Sequence, residues 1–235
     1  MIKKLFVLIC CFYAGSVFAK CPLGDAYLKA KQPDRAFDEY KNCAETLNDS
    51  ESQLYVGKIY LDGTSFAPQN LETAYNYFRM GAENGYAPAQ RELAKLIDAI
   101  EDMGDFGKKK LAGFERQWQE KNKLQREPLS SLAWMTLAAE KAENKWFYNA
   151  PAVADDEAVR LLSRYKSKND NKKSEEQAIA FKQEKLMACA RRLLSDSAYN
   201  NFKAIIYPKE GKTKSSMTKA QAIENLKKYK MSIQK

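Results

Sequence analysis

The sequence predicts an all-α fold, an array of helix–turn–helix repeats closed by a helical C-terminal tail. Three observations carry this expectation. Small, apolar and aromatic residues recur as spaced sets: Leu23, Gly24 and Tyr27, then Val56, Gly57 and Tyr60, then Leu93, Ala94 and Ile97. Along the clearest segments the apolar positions follow helical spacing. Prolines and glycines stand where helices start and stop, as at Pro33, Gly63, Gly85 and Pro88. Arrays of paired helices present surfaces for binding and rarely carry chemistry themselves.

The chain opens Met1, Ile2, Lys3, Lys4, continues with an apolar run from Leu5 to Tyr13, and reaches Val17, Phe18 and Ala19. A charged start, a short apolar centre and a small-residue end mark a secretory signal peptide, so residues 1–19 are expected to leave after Ala19. The run falls short of the about 20 residues that span a bilayer. Cys21 follows Lys20, whereas a lipidated cysteine follows a small residue. The mature chain, residues 20–235, is therefore expected in the periplasm or secreted.

Of five cysteines, Cys10 and Cys11 lie in the signal segment, leaving Cys21, Cys43 and Cys189. Export permits a disulfide, and the odd number leaves one thiol over or paired between molecules. The absence of histidine removes the commonest general base and the commonest metal ligand. Basic residues exceed acidic ones by 39 to 30, with lysine concentrated after Lys166. Mixed charge without a reader motif argues against nucleic acid. The surplus reads as a solvated face, with weak contact between the basic C-terminal tail and anionic surfaces.

The first hairpin, in residues 20–50, carries Leu23, Gly24 and Tyr27 on one helix and Ala36, Tyr40, Cys43 and Ala44 on the other. Gln32, Pro33 and Asp34 form the turn. Gly24, Ala36 and Cys43 allow two backbones to approach, while Tyr27 and Tyr40 fill the remaining space. Gln32 lies eleven residues from both Cys21 and Cys43. An antiparallel hairpin thus brings the two sulfurs together, and a Cys21–Cys43 disulfide is expected, worth about 3 kcal/mol by chain entropy.

Residues 51–165 hold the clearest unit. Its first helix runs from Ser52 to Leu61 and stops at Gly63, and Asn70 caps a second helix that Gly85 ends. Ala74, Tyr77, Phe78, Gly81 and Ala82 give that helix one small and aromatic face. Pro88 starts a third helix with Ala89, Leu93, Ala94, Ile97 and Ile100 on one side. It ends near Met103 and Gly104, and a basic stretch with Lys108, Lys109, Lys110, Arg116 and Trp118 intervenes before Ser131, Trp134, Met135, Ala138 and Ala139. Asp155 and Asp156 read as caps of a helix containing Ala158, Leu161 and Leu162.

Residues 166–206 read as a closing helical region. Ser167 to Lys173 is expected as a loop, Ser174 with Gln177 as a capping box, and Ile179, Leu186, Ala190 and Leu193 as an apolar stripe. Residues 207–235 read as a basic linker, Tyr207 to Ser216, and a short amphipathic helix behind a second capping box, Thr218 with Gln221, whose expected role is to cap the array, with docking of a partner or an anionic surface as the alternative.

At Gly57, Tyr60, Gly63, Ala74, Tyr77, Phe78, Gly81, Ala82, Gly85 and Ala89 the chain resembles the Sel-one-like repeat family, a branch of the tetratricopeptide superfamily. Ser65, Asn70 and one extra residue depart from the usual loop of that family. The first hairpin looks more like an ordinary tetratricopeptide repeat, Ser131 to Ala139 like the family's tryptophan helix and alanine pair, and the stretch from Ser174 like its closing tail. The resemblance implies a right-handed superhelical solenoid, with repeats over 51–165 interrupted by an insertion. It also implies that the first helix of each repeat lines a concave side. Residues there not consumed by packing, Leu54, Lys58, Leu61, Arg91, Lys95 and Asp98, are the candidates for holding a protein partner.

Chemistry finds little support. Ser163 with Lys166 and Ser216 with Lys219 have serine–lysine spacing but lack the flanking motifs that build an oxyanion site. No glycine-rich phosphate loop and no metal-spaced cluster is present, so neither cofactor nor metal is expected. Trp118, Trp134 and Trp146 read as core before they read as a ligand cradle, and Cys189 as a buried small residue. The expected protein is no enzyme but an exported adaptor or scaffold of the bacterial envelope. Its rivals are an immunity protein that neutralises a toxic effector and, without a supporting residue, an envelope hydrolase or glycan-binding enzyme.

Overall fold

The computed structural model of the 235-residue chain describes residues 21–140, 154–207 and 217–233. Among these there are eleven helices and no strand. The signal-peptide reading, Trp146, Ser216 and nearly all of the expected linker fall outside the described residues. The chain divides between Ala180 and Phe181 into two compact units.

In the first unit, α1 (Pro22–Lys29) and α2 (Pro33–Thr46) form the expected hairpin. Each starts with proline, whose missing N–H would be unpaired there anyway. Gly24 lies under Tyr40, where a methyl would sit 3.0 Å from the ring, and the Tyr40 hydroxyl donates to Asp25 at 2.5 Å. Cys21 and Cys43 stand at disulfide distance, with sulfurs 2.15 Å and Cα atoms 6.0 Å apart. Phe37, Tyr40, Cys43 and Ala44 are buried in one cluster with Val56 and Tyr77 of the next two helices.

Those helices are α3 (Ser50–Asp62) and α4 (Leu71–Glu83). Asp49 caps α3 by accepting from the Ser52 N–H at 2.8 Å, and Asn70 caps α4 by accepting from that of Thr73 at 2.9 Å. Gly57 meets the Phe78 ring so closely that a Cβ would lie 2.5 Å from it. Gly81 does the same against Ala89, at 2.7 Å. Gly63 ends α3 at φ +78°, a positive value that costs a side chain energy and glycine almost nothing.

Helix α5 (Ala87–Glu101) follows, packed on α4. The basic interruption expected next is itself a helix, α6 (Asp105–Asn122). Lys108, Lys109 and Arg116 face solvent, while Gly107, Phe114, Glu115 and Trp118 are buried. Gly107 passes so near α5 that a Cβ would fall 1.7 Å from the Ile100 carbonyl. Helix α7 (Ser131–Ala139) then packs on α5 and is buried along most of its length, with Trp134 and Met135 wholly enclosed.

Helix α8 (Asp156–Lys168) is capped by Asp155, which accepts from the Ala158 N–H at 2.9 Å. Only Asn169 and Asp170 separate it from α9 (Asn171–Leu193), so the loop expected over Ser167 to Lys173 shrinks to two residues. Asp170 takes the capping role, accepting from the Lys173 N–H at 3.1 Å. Ser174 and Gln177 lie inside the helix and tie it to the segment before α7. The Ser174 hydroxyl is 2.9 Å from that of Ser130, and the Gln177 side chain accepts from the Ser130 N–H at 3.0 Å and donates to the Pro128 carbonyl at 2.9 Å. Turning Ser174 and Ala178 inward carries Ile179 out to solvent, so the apolar stripe expected to include it begins elsewhere.

The second unit comprises the rest of α9 with α10 (Asp196–Ile206) and α11 (Lys219–Ile233). Phe181, Leu186, Cys189 and Ala190 are buried here. The second capping box forms reciprocally: Gln221 accepts from the Thr218 N–H at 2.8 Å and Thr218 from the Gln221 N–H at 3.2 Å. No helix among the described residues is long and apolar enough to cross a membrane.

Candidate functional site

Leu54, Lys58 and Leu61 sit four and three residues apart on α3, which places them along one side of the helix. Leu54 and Leu61 are half-buried and Lys58 is exposed, with no ion pair to Lys58 among the described residues. Neighbouring positions of α3 are spent on structure. Gly57 is pressed against Phe78, and the buried Gln53 donates to the Ala44 carbonyl at 3.1 Å and to Asn48 at 2.7 Å. Asn84, beyond the end of α4, donates to Gln53 at 3.2 Å and so fixes the opposite end of the hairpin. Helix α3 thus holds its stripe on a rigid support.

The candidates on α5 behave differently. Arg91 meets Asp155 through two contacts of 2.8 and 3.0 Å, Glu92 at 2.9 Å and Glu157 at 2.7 Å. Burial pulls its pKa down, but the three carboxylates outweigh that and hold the guanidinium above its ordinary value. Asp98 is held by Lys168 at 3.2 Å, and Lys95 reaches Glu92 at 3.1 Å. Both ends of α8 are therefore pinned to α5 by ion pairs. Two of the three α5 candidates serve this clamp, while Lys95 stays largely exposed.

Where α3, α5 and α8 begin, a cleft of about 510 Å³ opens, lined by Glu51, Tyr86, Arg91, Asp156, Glu157 and Arg160 among others. Burial first, and then Glu51, Asp49 and Asp155, push the Tyr86 hydroxyl up to about 12. The Tyr165 hydroxyl, buried on α8 near Asp98, is likewise pushed up to about 12, burial again being the larger cause. Arg91 is thus both a wall of this cleft and its internal counterion.

Behind the clamp lies a feature that sequence reading missed. Arg79 of α4 has no exposed side-chain surface. It pairs with Glu83 at 2.9 Å and Glu115 at 2.8 Å, donates to the Tyr75 hydroxyl at 3.0 Å, and lies 5.0 Å from the Trp134 ring and 5.9 Å from that of Trp118. Tyr75 also donates to Glu115, and Arg126 pairs with Glu83. Burial lowers the Arg79 pKa and these neighbours more than restore it. A local signal was present: Tyr75, Arg79 and Glu83 stand four residues apart on α4, the spacing at which side chains meet.

Ser163 and Lys166 are both exposed on α8. No three cysteine, aspartate or glutamate side chains among the described residues group as a metal site. Trp118 and Trp134 belong to the core, and Cys189 is buried and unbridged. Comparison with protein-family models, with curated proteins and with solved structures gives no match.

Proposed function

We propose that the chain is a Sel-one-like repeat protein of the cell envelope whose helix pairs stack as a right-handed solenoid and grip another protein along the first helices. Support for stacking comes from the order of contacts. Helices α1, α2, α3, α4, α5, α7 and α8 each pack on the next, and α3 also touches α5, the arrangement of a quasi-linear array. Helix α6 interrupts the sequence of the third pair but not its packing.

The observation that carries the binding reading is the stripe Leu54, Lys58 and Leu61. It offers half-buried apolar surface around an uncommitted cation on a helix whose buried positions hold it in place. The two leucines offer apolar contact and the lysine a charge for orientation. A photo-crosslinking side chain at position 58 should capture one protein species from an envelope extract. The same group at Asp38, exposed on α2, should not. Capture should vanish in a Leu54→Glu, Leu61→Glu variant whose helicity and melting are unchanged. Equal labelling from positions 38 and 58, or capture indifferent to the two leucines, would refute the reading.

A further inference from the structure

We propose that the second unit docks on the surface of an anionic bilayer through the groove between α10 and α11. Residues 181–235 hold thirteen lysines and arginines against four acidic residues, while residues 1–180 hold 26 of each. The whole positive excess of the chain therefore belongs to this unit. Between its last two helices lies an open groove of about 550 Å³, with Phe202, Ala222 and Leu226 buried in its floor. Met217 and Tyr229 stand at its mouth, 39% and 49% exposed.

Lys219 and Lys228 are exposed on α11. Two of its four acidic residues are engaged: Asp196 by Arg191 at 2.5 Å and Glu224 by Lys227 at 3.7 Å. No charged residue lines the groove among the described residues. Apolar floor, tyrosine at the mouth and lysines beyond reproduce the layers of a bilayer interface, from hydrocarbon through the headgroup boundary to phosphate. A single acidic helix would call for cations aligned along the groove. Lysines spaced along α11 outside the groove instead suit a plane of many headgroups.

The test is flotation of the chain from residue 20 onward, so that the leading apolar run cannot itself insert. Vesicles of phosphatidylcholine alone should leave the protein behind, and vesicles mixed with phosphatidylglycerol should carry it up. Lys219→Glu with Lys228→Glu should weaken binding by at least about fivefold per lysine. Met217→Ser with Tyr229→Ser, at unchanged charge and unchanged helicity, should weaken it several-fold. No flotation, flotation indifferent to Met217 and Tyr229, or equally tight retention on soluble polyglutamate would each overturn the proposal.

Discussion

Arg79 carries a full charge into a site walled by two tryptophans, and its cost is met only because Glu83 and Glu115 enter with it. Removing one member of such a group strands the others, which costs about 3–5 kcal/mol. Arg79→Met should lower the urea-unfolding free energy by that amount. Arg79→Met with Glu115→Leu should recover about 2 kcal/mol or more of the loss, since the double change removes the orphaned carboxylate as well. A double variant that loses as much as the two single variants added together would show the pair to be energetically independent. At this scale the sequence was partly legible. Gly57, Gly81 and Ala89 announce a close approach by their size and spacing, and Asn70 and Asp155 announce caps by their place. The distant partners of Arg79 and Arg91 did not show, because Glu115 and Asp155 lie 36 and 64 residues away and nothing local marks them.

Helices are held in this protein by contacts of two kinds, and they predict opposite responses. Gly113 of α6 has open space where a Cβ would go, so Gly113→Ala should raise stability by about 1 kcal/mol through helix propensity alone. Gly57→Ala should lower it by about 1–3 kcal/mol, because the Phe78 ring occupies that space. Thermal and urea melts of the two variants read the difference directly. Arg91→Ala should release the N-terminal end of α8, costing about 2–3 kcal/mol for the stranded carboxylates, and hydrogen exchange should rise in α8 more than in α3. Partner capture from position 58 should survive in that variant, which separates the clamp from the gripping face. The existence of most helices was legible from capping residues and apolar spacing. Helix α6 was not recognised, since its lysines dominate the reading and its buried side is spread over Gly107, Phe114 and Trp118. Ser174 and Gln177 misled for a related reason: a capping box and a cross-helix tether use the same residue types.

Across the first unit several tyrosines share one electrostatic condition. Tyr86 and Tyr165 are each pushed from 10.0 up to about 12, by burial first and neighbouring carboxylates second. The folded state therefore prefers the neutral phenol more strongly than the unfolded chain does. That preference contributes fully below pH 10 and is lost as pH rises through the interval from 10 to 12. Melting temperature should fall across this interval, with tyrosinate absorbance appearing together with loss of helix. Phenylalanine at both positions should flatten the decline. The division near residue 180 has an electrophoretic consequence as well. The intact chain has an isoelectric point near 9.1, but its two parts would migrate apart in a field, the larger almost stationary at neutral pH and the smaller toward the cathode. Salt should therefore tune the long-range pull on anions exerted by the last quarter of the molecule, a pull that the repeats, without net charge, do not exert.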